Sequence, residues 1–356
     1  MPKSRPESFL HGLRSNVEEA RGLTADCYRD PEFFALEVEH VLRPGWHAVA
    51  RWDDLPEPGD YAAVDLCGEP LVVVRDDDGR LRVFSRVCRH RAHTIVEGSG
   101  NTKRFVCPYH RWTYGLDGGL RTAPLMQDTA GFDPARCGLP ELRTDSWQGF
   151  VLTSLDPAAE PISARLGTLD EKLTPHGLAE MVTVGVLDFD SPWNWKVMVD
   201  NFMESYHHIG LHSRTLEKSN HARDTYCMDL DGPFSLLENP GTSGEPDFYA
   251  GHVFPTLLLA LFRGDPMGSW YEMQIDRHDH IHLRIHLLAP PEFAADEARR
   301  KLFNEGARAV HLEDIPACER VQRGLASRLY EPGPLAHLEG ALTRFHKHLV
   351  ERLSAA

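Results

Sequence analysis

Two Cys–His pairs restrict most strongly what this chain can fold into. The first pair is Cys88 and His90 in the pattern C-x-H, and the second is Cys107 and His110 in the pattern C-x-x-H, with 16 residues between them. Each pair follows a short β-like run and stands in a tight loop. The four side chains can share one site only if two hairpin loops face each other. Two thiolates and two imidazoles suit either a zinc ion or an iron–sulfur cluster.

The spacing of these pairs favours the cluster over zinc. Structural zinc sites usually use C-x2-4-C or H-x3-5-H pairs, and this segment has neither. Four unrelated buried residues without any metal are a further alternative. In a two-iron, two-sulfur centre of the Rieske kind, two Cys hold one iron and two His hold the other. Trp112 and Tyr114 follow the second pair closely and are interpreted as packing aromatics near the cluster.

A second set of potential metal ligands lies in the segment DNFMESYHHIGLH, residues 200–212. Two imidazoles and one carboxylate on one face of Fe(II) leave positions open for O2 and substrate. His208 and His212 share a face of a regular helix, whereas His207 and His212 are about 140° apart around its axis. His207 and His212 converge only if the helix bulges or ends between them. Spacing alone leaves both pairs open.

A carboxylate from a distant segment would complete this second site. The segment HLEDIPACERVQRGL, residues 311–325, offers Glu313 and Asp314 as neighbouring candidates. The residue pattern does not choose between them, and a solvated acidic pair is the alternative to a metal ligand.

Hydrophobic patterning divides the chain into three predicted segments. Residues 1–42 contain the helical-looking run PEFFALEVEHVL, and residues 43–157 alternate short β-like runs with turns, which indicates an all-β domain. Residues 158–356 mix strands and helices, which indicates an antiparallel sheet covered by helices. We therefore predict an α+β protein. Within it, residues 195–212 are predicted to form one helix and VFPTLLLALF, residues 253–262, a buried strand.

Bulk properties exclude several classes of protein. The formal net charge of −15 argues against a nucleic-acid-binding protein, which needs a basic face. No apolar run is long enough for a membrane span or a signal peptide, so we expect no membrane association and a cytoplasmic location. The seven scattered cysteines do not indicate a disulfide framework. No glycine-rich nucleotide loop is present, so if the chain uses electrons from NAD(P)H, they must arrive through another protein.

The motifs resemble those of a known enzyme family. CRHRAH, EGSGN and FVCPYHRWTYGLDG together resemble the Rieske domain of ring-hydroxylating and related non-haem iron oxygenases. The family pattern N-x-x-[DE]-x-Y-H-x4-H marks the iron-binding helix of these enzymes. In this chain the pattern falls on Asn201, Glu204, Tyr206, His207 and His212. A family helix with the pattern E-D-x4-E-x2-Q is matched here by Glu313, Asp314, Glu319 and Gln322.

The resemblance implies two metal centres. It makes Cys88, His90, Cys107 and His110 the ligands of a [2Fe-2S] cluster. It makes His207, His212 and Asp314 the ligands of a mononuclear Fe(2+), with Asn201 and His208 in supporting or packing positions.

The resemblance also implies a connection between the centres. In the family, an acidic residue three positions before the first His binds an iron-ligating His and a cluster-ligating His of a neighbouring subunit. Glu204 would therefore link His207 to His110 of the partner subunit in a homotrimer. The alternative is a surface glutamate paired with a cation. Glu rather than Asp at this position is similar to members that act on choline, carnitine and betaines.

The function implied by the resemblance is that of a terminal oxygenase. A flavin and iron–sulfur reductase or a ferredoxin would pass electrons from NAD(P)H, and O2 would be the co-substrate. Monooxygenation of a small quaternary ammonium compound, with possible N-demethylation, is favoured. Aromatic-ring cis-dihydroxylation is the alternative, and an electron carrier without oxygenase chemistry is a different class.

Two further features have competing interpretations. RHDHIHLRIH, residues 277–286, is either a polar strand face or a third metal site. Several aromatic residues of the second half line a substrate pocket or belong to the core. They are Phe202, Phe248, Tyr249, Phe262, Trp270 and Tyr271.

Overall fold

The computed structural model describes residues 13–264 and 266–354. The chain divides into two compact units. One is Trp46–Ser163, and the other combines the chain up to Gly45 with the chain from Ala164 onward. Helices and antiparallel sheets are both present, which confirms the predicted α+β class. No helix within the described ranges is long and apolar enough to span a membrane.

The unit Trp46–Ser163 is built from antiparallel strands and short 3-10 turns. Its strands are β1 (His47–Arg51), β2 (Asp60–Leu66), β3 (Glu69–Arg75), β4 (Leu81–Ser85), β5 (Ser99–Asn101), β6 (Phe105–Val106), β7 (Thr113–Tyr114), β8 (Leu120–Thr122), β9 (Arg143–Trp147) and β10 (Phe150–Ser154). The sheet orders are β4-β3-β2-β5, β1-β10-β9 and β6-β7-β8. Val72 and Val74 of β3 pack in one hydrophobic cluster and Leu71 and Val73 in another, because successive side chains point to opposite faces.

The other unit has one large sheet and most of the helices. Its strands are β11 (Val182–Ser191), β12 (Tyr226–Cys227), β13 (Phe234–Asn239), β14 (Phe248–Val253), β15 (Leu257–Phe262), β16 (Gly268–Arg277) and β17 (His280–Ala289). The sheet is antiparallel, in the order β11-β17-β16-β15-β14-β13-β12. The helices are α1 (Ala25–Arg29), α2 (Pro31–Glu37), α3 (Gly167–Leu173), α4 (Trp195–Phe202), α5 (Leu216–Ser219), α6 (Pro291–Ala294), α7 (Glu297–Gly324) and α8 (Gly340–Ser354). A π-helical turn, Val38–Leu42, continues α2.

The prediction of one buried strand over residues 253–262 is wrong. The segment spans the turn between β14 and β15, where Pro255 follows a cis peptide bond. Proline lacks the N–H that a central strand needs, so it stands in the turn and the apolar residues after it form β15. The helix α7 is 28 residues long and contains Pro316.

A fully buried ion pair joins the N-terminal segment to α4. Lys196 Nζ lies 2.7 Å from Glu37 Oε1, and both side chains are completely buried. Trp195 Nε1 donates to Glu37 Oε2 at 3.3 Å, and the Lys196 ammonium lies 5.4 Å from the Tyr28 ring centroid. Burial raises the pKa of Glu37, and Lys196 opposes that shift. Each charge is tolerated in the interior because the other is present.

Replacing one member of this pair should be strongly destabilising. We expect Lys196→Met to lower the free energy of unfolding by about 3–5 kcal/mol, because Glu37 would remain buried without its counter-ion. Urea denaturation followed by circular dichroism measures this loss. The double variant Lys196→Met, Glu37→Leu should lose less of the free energy of unfolding than the single variant, because no unpaired charge remains buried.

A surface pair provides the control for this prediction. Lys301 Nζ lies 3.9 Å from Glu305 Oε1, and both side chains are more than half exposed. Lys301→Met should cost about 0–1 kcal/mol. Equal losses in Lys196→Met and Lys301→Met would show that the buried pair has no special role.

Candidate metal centres

The four predicted cluster residues lie on two loops of the unit Trp46–Ser163. Cys88 and Cys107 are buried in one hydrophobic cluster, and burial together with the neighbouring Cys88 thiol raises the pKa of Cys107. The ring centroids of His90 and His110 are 4.5 Å apart. The loops therefore bring together a pair of thiols and a pair of imidazoles.

The two loops have the same type of backbone turn. The carbonyl of Cys88 accepts from the N–H of Ala92 at 3.0 Å, and the carbonyl of Cys107 accepts from the N–H of Arg111 at 3.0 Å. Ala92 and Arg111 have φ values of 57° and 63°. Left-handed backbone is unfavourable for residues with a Cβ, and such conformations concentrate at functional sites. Each loop is thus folded tightly around its own cysteine.

The positions of the four side chains fit a two-iron cluster better than a zinc ion. A tetrahedral zinc ion requires all four ligand atoms around one centre. Within residues 13–264 and 266–354, no three of these four residues bring ligand atoms within 4.8 Å of one another. Nδ1 of His90 is buried and has no hydrogen-bond partner among the described atoms. Separate thiol and imidazole pairs match the ligand division of a Rieske centre.

Trp112 and Tyr114 pack beside this group, as predicted. Trp112 stacks on His90 with a centroid distance of 5.0 Å and an interplanar angle of 8°. The Tyr114 hydroxyl accepts from the N–H of Arg89 at 3.0 Å and lies 3.3 Å from Cys88 Sγ. Because the amide supplies one proton, the hydroxyl is free to donate its own proton to the sulfur.

Tyr114→Phe should lower the reduction potential of the cluster. Hydrogen bonds to ligating sulfurs stabilise the more negative, reduced state, so removing one favours the oxidised state. Cluster content should stay near that of the parent chain, and redox titration monitored by electron paramagnetic resonance measures the shift. Tyr109→Phe removes the hydroxyl of an exposed tyrosine between Cys107 and His110 and should leave the potential unchanged. An unaltered potential in Tyr114→Phe would contradict this role.

The helix that leads to the second site is shorter than predicted. The prediction of one helix over residues 195–212 is wrong, because α4 ends at Phe202 and a 3-10 turn occupies Tyr206–Ile209. The Glu204 carboxylate accepts from the backbone N–H of His207 at 3.0 Å and stabilises this new turn. The helix therefore ends where the convergence of His207 and His212 requires it to end.

His207, His212 and Asp314 converge on one point. Their ligand atoms all lie within 4.8 Å of one another. Asp314 Oδ1 is 3.0 Å from His212 Nε2 and 3.7 Å from His207 Nε2, yet no hydrogen bond to it is formed among the described residues. Burial raises the pKa of Asp314, but the two imidazoles outweigh burial and leave that pKa below its usual range. Three electron-pair donors with a shared centre fit a divalent metal ion.

Carboxylates hold the outer nitrogens of both imidazoles. Glu204 Oε1 lies 2.7 Å from His207 Nδ1, and Glu313 Oε2 lies 2.7 Å from His212 Nδ1. Thr215 Oγ1 donates to Glu313 at 2.6 Å. Glu313, the competing candidate for the third ligand, thus orients a histidine instead. Such contacts fix the tautomer and direction of metal-bound imidazoles.

Asn201 and His208 lie beside the converging residues. Asn201 lines the same cavity as Asp314, and its side chain adds to the effect of His212 and His207 in lowering the pKa of that carboxyl. His208 is 4% exposed and stacks near Phe248 with a centroid distance of 6.2 Å. His208 therefore packs next to the site without joining the group of three.

A cavity of about 380 Å³ opens onto the converging residues. Four of the six aromatic residues suggested by the sequence line it, and Tyr249 and Trp270 do not. The lining aromatics are Phe202, Phe248, Phe262 and Tyr271. Sequence reasoning missed the contribution of α6 and α7, including Phe293 and Arg299. Counting back from Asp314 in steps of three or four residues along α7 would have indicated which face of this helix lines the cavity.

The histidine-rich strand is a polar face in this structure. His280 lies 2.7 Å from Asp190 and 2.9 Å from Asp276, and His286 lies 2.7 Å from Glu272. These histidines are matched by carboxylates on the adjacent strands β11 and β16. No third metal group is found across the described parts of the chain.

Comparison with known proteins gives the family. Residues 45–134 match the model of the Rieske [2Fe-2S] domain, and residues 178–355 match the ring hydroxylating alpha subunit (catalytic domain). The chain belongs to the Rieske-type ring-hydroxylating oxygenases. The predicted family, enzyme class and cofactors are thereby confirmed: a [2Fe-2S] cluster, a mononuclear iron and O2 as co-substrate.

Several relatives within this family are named as monooxygenases. Choline monooxygenase of Arabidopsis thaliana is 30% identical, over 93% of this chain and 82% of that protein. The carnitine monooxygenase oxygenase subunit of Escherichia coli (strain K12) is 29% identical, over 91% of this chain and 88% of that protein. A solved quaternary ammonium Rieske monooxygenase, described with inter-subunit electron transfer, has a TM-score of 0.88 and 25% identity. It covers 98% of this chain and 99% of its own.

Asp314→Ala should remove the mononuclear iron and keep the cluster. The parent chain should hold about three irons and about two acid-labile sulfides, and the variant about two irons with the same sulfide. Metal and sulfide analysis of the purified chain measures both quantities. Glu319→Ala changes an exposed carboxylate on the same helix, and its iron and sulfide contents should equal those of the parent chain. Full iron content in Asp314→Ala would exclude this residue as a ligand.

Proposed function

We propose that this chain is the terminal oxygenase that hydroxylates a quaternary ammonium compound. The observation that carries the proposal is the convergence of His207, His212 and Asp314 at the inner end of an aromatic-lined cavity. The relatives named for choline and carnitine oxidation support the choice of substrate class. An electron carrier without oxygenase chemistry would have no use for this second group of ligands.

Each residue of the inner site has a defined task in this proposal. His207, His212 and Asp314 would hold the iron, which would supply open positions for O2 beside the substrate. Glu204 and Glu313 keep the two imidazoles directed inward. Aromatic rings of the lining attract a trimethylammonium group through their faces and exclude water from it.

The expected product follows from the position of the inserted oxygen. One oxygen atom of O2 enters a C–H bond, and two electrons and two protons convert the other to water. If the hydroxylated carbon bears nitrogen, its C–N bond then breaks to give an amine and an aldehyde, a net N-demethylation. Aromatic cis-dihydroxylation remains the alternative, and the monooxygenase relatives support single insertion.

Electrons are proposed to enter through a separate protein and to cross between subunits. Cys88, His90, Cys107 and His110 would hold the cluster, which would accept electrons from NAD(P)H through a flavin and iron–sulfur reductase or a ferredoxin. In a homotrimer, Glu204 joins His207 to His110 of the partner subunit. The 2.7 Å contact between Glu204 and His207 supports the first half of this route.

The test combines metal analysis with turnover. The chain, reconstituted with iron and sulfide and supplied with a reductase, is assayed for O2 and NADH consumption with ammonium, aromatic and aliphatic compounds. Product analysis of a quaternary ammonium substrate should show hydroxylation or aldehyde release. A cis-diol from an aromatic compound alone would overturn the proposed substrate class, and zinc in place of iron would overturn the proposed function.

Glu204→Gln and Glu313→Gln together separate electron transfer from histidine orientation. Each variant alters a carboxylate that lies 2.7 Å from the outer nitrogen of a histidine. We expect both to retain the cluster and most of the iron. Only Glu204→Gln should slow reoxidation of the pre-reduced cluster by O2 and substrate, by tenfold or more. Stopped-flow absorbance of the cluster measures this rate, and equal slowing in both variants would reduce Glu204 to an orienting residue.

A further inference from the structure

One face of the large sheet forms a wall of the cavity. Alternate residues of three neighbouring strands line this wall, because side chains alternate between the two faces of a strand. The lining residues are Phe248 and Ala250 of β14, Ala260 and Phe262 of β15, and Ser269 and Tyr271 of β16. Ala260 pairs with Ala250 on one side and with Ser269 on the other, so small side chains form a row across the wall. This row provides space for a ligand between the larger aromatic rings.

Ser269 and Tyr271 place two hydroxyl groups on this wall. One residue separates them on β16, so their side chains project from the same face of the strand. Ser269 is 7% exposed, and the ring centroid of Tyr271 lies 4.7 Å from that of Phe202 at the end of α4. Burial and the Asp314 carboxylate raise the pKa of Tyr271, and Ser269 opposes this shift. The hydroxyl pair, Ser269 and Tyr271, therefore lies near the inner end of the cavity.

The hydroxyl pair can form hydrogen bonds with a ligand. The other polar lining residues are Arg299, Asp314 and members of the segment 201–212, and the remaining lining is apolar. A buried hydroxyl in such surroundings needs a hydrogen-bond partner. Each hydroxyl has one donor and two acceptor positions. Even when one hydroxyl of the pair donates to the other, one donor and several acceptor positions remain for a ligand.

The charges around the inner site decide which kind of polar group fits there. Asp314 Oδ1 lies 3.0 Å from His212, and Glu204 and Glu313 contact the outer nitrogens of the two ligand histidines. These three carboxylates carry more negative charge than a divalent iron carries positive charge, and neutral imidazoles add none. An anionic group beside Tyr271 would be buried next to this excess of negative charge, which is unfavourable. An uncharged polar group avoids that cost.

We propose that Ser269 and Tyr271 bind an uncharged polar group of the substrate, which is then an ammonium compound that carries a hydroxyl group. The aromatic rings of the same wall, Phe248 and Phe262, are available to its cationic end. This inference rests on the proposed function, because the ammonium group is assigned there. It narrows the substrate class to hydroxylated ammonium compounds and separates them from ammonio carboxylates and from simple alkylammonium ions.

The test compares three trimethylammonium probes of equal chain length, which end in a hydroxyl, a methyl or a carboxylate group. Dissociation constants are measured by calorimetry on the metal-loaded protein without reductase. The parent chain should bind the hydroxyl probe more tightly than either of the other two probes. Tyr271→Phe should reduce the preference for the hydroxyl over the methyl probe by about three- to tenfold, which corresponds to the loss of one hydrogen bond.

Ser269→Ala tests the same pair with a different side chain. It should also reduce the preference for the hydroxyl probe over the methyl probe. The double variant Ser269→Ala, Tyr271→Phe should lose little more than Tyr271→Phe alone, because the two hydroxyls act on one group of the ligand. An unchanged preference in both single variants would overturn the hydroxyl site.

Tyr249→Phe is the matched control. Tyr249 stands on β14 between the lining residues Phe248 and Ala250, so its side chain lies on the opposite face of the sheet and does not line the cavity. The preference among the three probes should stay at the parent value in this variant. An equal change in Tyr249→Phe and Tyr271→Phe would indicate a general effect on the sheet and overturn the role of Tyr271.

The carboxylate probe tests the uncharged character of the bound group. A parent chain that binds this probe most tightly, and loses that preference in Tyr271→Phe, would overturn the assignment of an uncharged group. Weaker binding of the carboxylate probe than of the methyl probe would support the argument from the three carboxylates of the inner site.

Binding and turnover separate this inference from the proposed function. Binding that depends on Tyr271, without turnover of any ammonium probe in the reductase-coupled assay, would overturn the proposed reaction and leave the hydroxyl site standing. Turnover of ammonium probes with equal affinities for the hydroxyl and methyl ends would leave the oxygenase standing and overturn the hydroxyl site.

Discussion

The inner site depends on where one helix ends. If α4 continued past Phe202, His207 and His212 would project about 140° apart and could not reach a common point with Asp314. The Glu204 carboxylate that binds the backbone N–H of His207 in the following turn also binds the ring of His207. One side chain therefore sets both the backbone change and the direction of the imidazole. The position of the cavity and the use of α7 as its wall follow from that point of convergence.

Both metal centres are organised by tight turns and by groups just outside the ligand positions. In the β unit, Ala92 and Arg111 adopt left-handed backbone conformations that close the two loops. The Tyr114 hydroxyl lies next to Cys88 Sγ and is held there by the backbone N–H of Arg89. In the larger unit, carboxylates contact the outer nitrogens of the histidines. Both sets of ligands need such support. Side chains that repel each other through like charges or lone pairs stay together only when neighbouring groups hold them in position.

The sequence predicted the chemistry better than the local geometry. Residue type and spacing were enough to indicate the α+β class, the all-β character of the first unit and the segments that hold the ligands. The family resemblance was needed to choose His207, His212 and Asp314 within those segments. The end of α4 was missed because a single hydrogen bond from Glu204 to a backbone N–H competes with helix periodicity. Arg299 was missed because its face of α7 has meaning only once Asp314 is known to point into a cavity. The pairing of Glu37 with Lys196 was beyond pattern analysis, since 159 residues separate them.

That separation has a consequence for how the chain can be made and divided. The larger unit is formed from two separate segments of the chain. The segment up to Gly45 is synthesised before the β unit, and the segment that begins at Ala164 is synthesised after it. During translation Glu37 is made before its partner Lys196. The ion pair in the interior of the larger unit can therefore form only after the whole inserted unit has been synthesised. A fragment that starts at Ala164 would contain every residue of the inner site and yet lack Glu37, the buried counter-ion of Lys196 in α4.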